Sequence, residues 1–481
     1  MDGLEGSEVS LNYVIGKHLR IDAEYYQKNN LLLENVLEAM HGKTISNHGG
    51  KTDCSAFYPS ITGYYSNNHE NIPFLRVNEI VNGLIVITDK TAFLPEEVLK
   101  ANSKTIALAY PGDIIIAKGG NTLAKVGLVT DEYNVYATCR DVIILRTGDM
   151  VDLNKFYLWA YLHGSFGQRI MWRSASQTGQ PHLTLKSIDE IHVPEYSMAL
   201  QETIERLYNR SVCLKQESQR TYHMATITLE KTLGMQICGN QAVSIKKLSD
   251  SFKRTGRLDA EYYQPKYDIY LDILSHFKTS RIPNEFDVLK SSGTNYAETI
   301  SDVGVIKTKQ ITNSGVNIDG IESYFTREAC IKNKSTFIAN NDVIFASMGV
   351  GSLGKVSLFS YDGDKAFVTD STLRIYRAKE TGRVLPEVLC LFLQSEIGQE
   401  LIYRYVVGST GIINIYDDDM AKIPVPILEV EIQRNLAAEV QESFALRRQS
   451  KRLLEYARQV VELAIEQGED AALAWLRDKV E

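Results

Sequence analysis

The chain predicts an α+β fold made twice: two α/β units with β-rich cores, separated by two long antiparallel helices about a pseudo-twofold axis. Three observations carry this expectation. Residues 20–27 read RIDAEYYQ and residues 257–264 read RLDAEYYQ, one phrase with a single Ile-to-Leu change. A match of that length marks an internal repeat. The repeat then continues: LRVNEI from position 75 is answered by IKTKQI from 306, and residues 138–146 by 369–377, both displaced by 231 positions. Finally, each copy closes on an apolar-Pro pair, Val193-Pro194 or Val425-Pro426, followed by a long stretch with helical periodicity. The layout this implies is a first globular unit at 1–196, a helix at 197–235, a linker and second unit at 236–426, and a second helix at 427–481.

Taken in order, residues 9–19 resemble 243–256, so each unit begins with a short strand-like lead-in before the phrase. Pro265 directly follows the second phrase, and proline is tolerated only in a helix's first turn, so a helix starts there and runs through YDIYLDILSHF. The first copy leads into NNLLLENVLEAM, whose Leu33, Val36, Leu37 and Met40 share a helical face. The phrase itself reads as extended chain or a turn. Its acids, Asp22 and Asp259, either orient nearby backbone beside packed tyrosines or touch a ligand. Both readings stay open.

Residues 54–146 alternate short Val, Ile and Thr runs with Gly, Asn and Pro clusters, a β signature, with strands expected at 114–117 and 126–129 around the turn KGGNTLAK. Residues 157–163 and 166–172 return to helical spacing, then come the polar loop SASQTGQPHLT and a last strand at 191–193. Leu200, Ile204, Leu207, Leu214, Tyr222, Ala225, Leu229 and Leu233 mark a helix of about 35 residues, roughly 50 Å long. Its counterpart spans 433–465, with Ser211 and Ser443, Ser218 and Ser450, and Ala225 and Ala457 at equivalent places. Small residues on both buried stripes let two backbones approach, so the helices are expected to pack on each other. Gly234 stops the first helix, and after Gly468 a final amphipathic turn or short helix docks through Trp475.

With 481 residues the chain exceeds one ordinary core. Its 44% hydrophobic and 23% charged content is ordinary for a soluble protein, and no apolar run could span a bilayer, so a cytoplasmic protein with no membrane role is expected. The start, MDGLEGSEVS, is acidic and lacks the apolar core of a secretory signal. Six scattered cysteines with no CxxC pair read as reduced thiols, not zinc ligands. A net charge of −8 argues against nonspecific coating of nucleic acid, since phosphate affinity comes from Lys and Arg, but leaves local basic surfaces open.

Most catalytic motifs fail. Gly349, Gly351 and Gly354 spell GxGxxG, yet KVSLF follows, a β run where a phosphate loop needs a helix, and Val356 stands where a magnesium-binding hydroxyl belongs. A glycine-rich β-turn is the better reading. No HExxH, GxSxG or Asn-Pro-Pro-aromatic run occurs, and His182 has Asn414 as its counterpart, so neither metal nor catalytic residues are assigned.

Basic and amide side chains gather instead in acid-poor loops. Residues 164–186 carry Arg169, Arg173, Ser176, Gln177, Thr178 and Gln180 without an acid. The matching stretch of the second unit carries Arg404, Ser409 and Thr410. Lys118, Asn121, Thr122 and Lys125 correspond to a turn holding Ser347 and Lys355, while Arg76 and Asn78 face Lys307, Lys309 and Gln310 in the LRVNEI and IKTKQI segments. Lys and Arg contact phosphates, and Arg, Lys, Asn and Gln can read base edges. A solvated polar loop remains the alternative at each position.

The phrase RIDAEYYQ and RLDAEYYQPKYD, the GDIIIAKGG and NDVIFASMG segments, and IHVPEYSMALQ and IPVPILEVEIQ each leading into a long helix together resemble the specificity subunits of type I restriction-modification systems. The resemblance covers nearly the whole chain. It implies two target-recognition domains, each reading one half of a split asymmetric DNA site, and helices that set the gap and dock partners. It also implies that this chain does no chemistry and holds no cofactor. S-adenosylmethionine, ATP and Mg belong to the implied partners, two methyltransferase subunits and two translocating restriction subunits. Two other classes stay in view: a duplicated nucleotide-binding enzyme resting on the Gly349 loop, and an assembly scaffold that never touches DNA.

Overall fold

The structure, a computed structural model, describes residues 6–16, 20–40, 42–88, 90–175, 181–234, 245–291, 300–408 and 413–480. The chain divides into two compact units, Met1–Val212 with Ser450–Glu481, and Cys213–Gln449.

In the first unit the strands are β1 (Lys43–Thr44), β2 (Lys51–Asp53), β3 (Ile72–Leu75), β4 (Ile80–Val81), β5 (Leu84–Ile85) and β6 (Ala92–Leu94). They continue with β7 (Leu108–Ala109), β8 (Ile114–Ala117), β9 (Val126–Leu128), β10 (Tyr136–Thr138), β11 (Val142–Arg146) and β12 (His192–Val193). Six form a sheet in the order β2-β11-β8-β9-β5-β4, four form β6-β3-β10-β7, and β1 pairs with β12. Strands β8 and β11 read IIIA and VIILR because both their faces are buried, which removes the alternation of a half-exposed strand. Helix α1 (Lys28–Ala39) buries Leu33 and Leu37, while Val36, expected on the same face, is exposed. Helix α2 (Lys155–His163) is buried from Phe156 to Leu162 and turns at once into α3 (Ser165–Ser174). A Cβ at Gly167 would run into the Tyr161 carbonyl, so only glycine lets these helices meet. Helix α4 (Met198–Leu233) follows and ends at Gly234, with φ +68.

The second unit repeats the plan. Helix α5 (Pro265–Ser275) starts on its proline. The strands are β13 (Thr279–Arg281), β14 (Phe286–Leu289), β15 (Val303–Ile306), β16 (Ile311–Thr312), β17 (Gly315–Val316) and β18 (Tyr324–Phe325). After them come β19 (Val343–Ala346), β20 (Val356–Leu358), β21 (Ala366–Thr369), β22 (Leu373–Ala378) and β23 (Pro424–Pro426). The order β14-β22-β19-β20 reproduces β2-β11-β8-β9, β18-β15-β21 reproduces β6-β3-β10, and β13 pairs with β23 as β1 does with β12. Even register is kept: Thr138 faces Leu75 in a parallel pair, and Thr369 faces Ile306 in another, each displaced by the 231 positions of the sequence repeat. One difference is the hairpin β16-β17, a separate two-stranded sheet, where β4-β5 joins the larger sheet through β9. Helices α6 (Pro386–Gln394) and α7 (Glu396–Arg404) repeat α2 and α3, with Gly398 against the Phe392 carbonyl as Gly167 is against Tyr161.

Helices α8 (Val430–Gln467) and α9 (Glu469–Val480) complete the chain. Along α4 and α8 the expected small residues make the contact. In the first unit Ser211 Oγ donates to the Ser450 carbonyl at 2.9 Å and Ser450 Oγ donates back to the Ser211 carbonyl at 2.8 Å. In the second unit Ser443 Oγ donates to the Ser218 carbonyl at 2.8 Å, and the two hydroxyls lie 3.1 Å apart. Numbers rise on one helix as they fall on the other, so the pairing is antiparallel. Hydroxyls reaching the facing main chain require backbones too close for any larger side chain. Trp475 of α9 packs edge-on to Tyr456 at 5.5 Å.

Among the described residues of the lead-ins expected before each phrase there is no strand. Leu11–Gly16 and Phe252–Thr255 are short helical turns that close their hydrogen bonds locally. Among the described residues no helix is long and apolar enough to cross a membrane.

Candidate nucleic-acid interface

Each copy of the duplicated phrase is a clasp. In the first, Ala23–Tyr26 forms one 3-10 turn, and Tyr26 Oη donates to the Arg20 carbonyl at 2.6 Å. Arg20 forks onto Asp22 through Nε and Nη2 at 2.7 and 3.0 Å and donates to the carbonyls of Ser174 and Ala175 at 3.2 and 2.6 Å. The Tyr25 ring lies between two guanidiniums, Arg20 at 4.5 Å and Arg173 at 4.1 Å. Arg173 also donates to the Tyr25 carbonyl at 3.0 Å and pairs with Glu34 at 2.7 Å. Burial, the largest single influence, raises the Asp22 pKa, but the Arg20 hydrogen bonds and charge together with backbone N–H donors outweigh it and hold the carboxyl below its usual range.

The second copy repeats this almost atom for atom. Tyr263 Oη donates to the Arg257 carbonyl at 3.0 Å, Arg257 forks onto Asp259 at 2.8 and 2.7 Å, and it reaches the Val406 carbonyl at 3.3 Å. Tyr262 lies between Arg257 and Arg404, both at 4.7 Å. Of the two readings the sequence leaves open, packing accounts for Arg, Asp and both tyrosines of the phrase. Of the expected DNA contacts, Arg173 is largely buried and bonded inside its unit, and Arg404 is half-buried among Tyr262, Tyr267 and Tyr405.

The clasp fixes the chain just where it enters the polar loop of the first unit. Where it leaves, Leu183 N–H donates to the Lys118 carbonyl at 2.8 Å, and His182 bridges to Gly119. Lys118 N–H in turn donates to the Asp141 carbonyl at 2.9 Å. The β8–β9 turn, residues 139–141 and residues 181–183 therefore meet at one end of the six-stranded sheet. Asn121 and Lys125 are exposed there, Lys118 is half-buried, and Thr122 Oγ1 is spent on the Gly119 carbonyl at 3.2 Å. Arg169 is exposed, with one N–H on the Asn29 carbonyl at 3.0 Å.

Arg76 and Asn78 line a cleft of about 540 Å³ together with Tyr58, Tyr65, Arg140 and Asp141. Arg76 is braced by Glu79 at 3.1 Å, and Asn78 is exposed. Arg140 and the two tyrosines were missed by sequence reasoning. Their signal is weak, because each stands alone in an apolar or mixed run and joins the cleft only through the fold.

In the second unit Lys307 and Lys309 occupy the places of Arg76 and Asn78, with Lys309 exposed and paired to Glu322. Gln310 is buried. Its Oε1 accepts from Lys307 N–H at 3.0 Å and its Nε2 donates to the Gly320 carbonyl at 2.6 Å, the bracing role Glu79 plays when it accepts from Arg76 N–H at 2.8 Å. Ser347 is buried too, donating to the Thr372 carbonyl at 2.9 Å. Both expected readers are thus loop braces, facing inward. Lys355 is half-buried. Asn414 bridges to Met348 as His182 does to Gly119, so the His182 position is a structural bridge in both units. Gly349, Gly351 and Gly354 all have positive φ, and the strand β20 follows them, the β-turn expected and not a phosphate loop. Ser176, Gln177, Thr178, Gln180, Ser409 and Thr410 lie outside the described residues. Among the described residues no group of three or more His, Cys, Asp or Glu is gathered to hold a metal ion.

No family model matches the chain. Nor does any curated protein. Among solved structures, the chain is similar to the S subunit of a type I restriction-modification system from M. genitalium, at 11% identity and a TM-score of 0.39, over 88% of this chain and 94% of that one. It is also similar to the HsdS subunit from Thermoanaerobacter tengcongensis, at 12% identity and a TM-score of 0.27, over 87% and 97% of the two chains. A third similar chain comes from a structure concerned with complex assembly and conformational transition of the type I R-M system, at 12% identity and a TM-score of 0.27, over 87% and 98%.

Proposed function

We propose that this chain is the DNA-recognition subunit of a type I restriction-modification complex, each unit reading one half of a bipartite, asymmetric site. The observation that carries this is the doubling of one scaffold with different side chains at matching loop positions: Arg76 and Asn78 against Lys307 and Lys309, and Asn121 against Val350. Identical readers on a duplicated fold would specify a repeated word; different readers specify two words. Helices α4 and α8 set the gap and dock the partners. The chain itself does no chemistry. Two methyltransferase subunits using S-adenosylmethionine and two restriction subunits using ATP and Mg supply it, in the cytoplasm. With a net charge of −8, phosphate contacts are shared with the methyltransferases, so tight site-specific binding belongs to the assembled complex.

The test is an exchange of residues 43–194 for the same region of a relative with a known site. Mapping N6-methyladenine in a host carrying the hybrid and its methyltransferase is expected to show one half of the site replaced and the other half and the gap retained. An unchanged site would overturn the reading.

A further inference from the structure

In each unit one short turn is fastened by its main chain to both large sheets. Between β10 and β11, Cys139 N–H donates to the Leu75 carbonyl at the end of β3, and the Asp141 carbonyl accepts from Lys118 N–H just past β8, both at 2.9 Å. Between β21 and β22 the second unit does the same. Asp370 N–H donates to the Ile306 carbonyl at the end of β15, and the Thr372 carbonyl accepts from Ser347 N–H just past β19, both at 3.0 Å. Because every one of these anchors is a main-chain atom, the two side chains between them are free to differ from copy to copy. They do: the first turn carries Arg140 and Asp141, the second Ser371 and Thr372. A rigid mount with exchangeable side chains is what precise recognition needs.

The first turn opens on the cleft of about 540 Å³ that Arg76 and Asn78 also line. Its wall is aromatic, with the Tyr65 and Tyr58 rings 5.7 and 6.4 Å from that of Phe74. Of its two guanidiniums, Arg76 is already held through Nη2 by Glu79 at 3.1 Å and the Lys90 carbonyl at 3.0 Å. Arg140 is exposed, and among the described residues no hydrogen bond or ion pair ties its guanidinium. Asp141 beside it is exposed as well. A guanidinium can grip guanine O6 and N7 together, and a carboxylate accepts from the cytosine amino group, so these neighbours match the two halves of a G·C pair in the major groove. Their charges cancel, so the turn offers a donor and acceptor pattern and not a net attraction for phosphate. The second turn has less to offer, since Thr372 Oγ1 donates to the Asp370 carboxylate and leaves the exposed Ser371 hydroxyl.

We propose that Arg140 and Asp141 set the specificity for a G·C pair in the word read by the first unit, Arg140 donating to guanine and Asp141 accepting from cytosine. The inference rests on the proposed function, which supplies the DNA; it adds a base pair and the side chains that choose it.

The test is competition binding by the full chain purified with its methyltransferase, against duplexes in which each base pair of the mapped first half-site is replaced in turn. Replacing one G·C pair is expected to weaken wild-type binding about tenfold or more. In Arg140→Ala that penalty should vanish while the penalties at all other positions of both half-sites stay. Arg140→Lys keeps the charge without the two-pronged grip and should lose the discrimination too. Thermal unfolding should match wild type in both variants, because neither touches an anchor. Uniformly weaker binding to every duplex, restored by Arg140→Lys, would overturn the inference and make Arg140 a phosphate contact. So would a first half-site without a G·C pair, or full discrimination retained in Arg140→Ala, and in each of these cases the reading of two words survives. A wild-type complex that discriminates no sequence would bring down both.

Discussion

Tyr25 is held between two arginines whose own charges are satisfied elsewhere, Arg20 by Asp22 and Arg173 by Glu34. Removing Arg173 takes the guanidinium away from the Glu34 carboxylate, only 11% exposed, and leaves it the Tyr13 hydroxyl. Breaking a buried pair from one side costs about 3–5 kcal/mol, so Arg173→Ala should lower the unfolding free energy of the first unit, read by urea denaturation, by that order, and Arg173→Lys should recover part of it because a lysine restores charge but not the planar stack. Acid acts at another residue. His48 Nδ1 and Lys43 Nζ each lie 2.9 Å from the Asp152 carboxylate, and these hydrogen bonds, His48 first, hold its pKa down to about 2. A depressed carboxyl contributes stability that is present above its unfolded value and lost as pH falls through the folded one. Asp152→Asn should therefore flatten the loss of stability between about pH 4 and pH 2, read by thermal unfolding across that window, and the effect is small because the side chain is half exposed. The tyrosines and aspartates of the clasp were visible in the sequence as a repeat, but not as a clasp. Arg20 meets Ser174 and Ala175 more than 150 positions away, and Arg173 reads as a DNA contact because its acid, Glu34, sits on a distant helix. Local composition shows which groups are polar, and only the fold shows which of them are already taken.

Among the elements, the long helices were the most legible and the lead-ins the least. A stripe of 3.6 periodicity sustained over 36 or 38 residues has no competing reading, and Ser211, Ser218, Ser443 and Ser450 marked the contact line before any coordinates did. Strands of two or three residues, such as β4, β5 and β16, carry too little pattern to be placed, and the described part of each lead-in closes into a helical turn where a strand is expected. The serine contact makes a sharp prediction. Ser218→Leu inserts a branched side chain where the Ser218 hydroxyl meets the Ser443 hydroxyl at 3.1 Å, so the helices must part, and a loss of about 1–3 kcal/mol is expected. Ser218→Ala keeps the close approach and removes only a neutral hydrogen bond, costing about 1 kcal/mol. Calorimetry that finds leucine no worse than alanine would mean that the backbones are not held together by the size of this residue.

At the scale of the whole molecule the informative feature is that α4 and α8 are each continuous from one unit into the other, while the scaffold of each unit repeats in strand order apart from β7 and the separate β16-β17 hairpin. Under the proposed function, what the units read and how far apart the words lie are then separate properties, and a change in one should leave the other alone. Inserting seven residues into each helix, at facing positions between the two serine pairs, adds about two turns and returns the apolar stripe nearly to its face. The axis lengthens by about 10.5 Å, which at 3.4 Å per base pair along a strand is about three base pairs. Each added base pair also rotates the second word around the duplex, so the accommodated change is expected to be one to three base pairs. Methylation mapping should show both half-sites unchanged and the gap lengthened. A gap that stays fixed while methylation persists would mean that something other than these helices measures it.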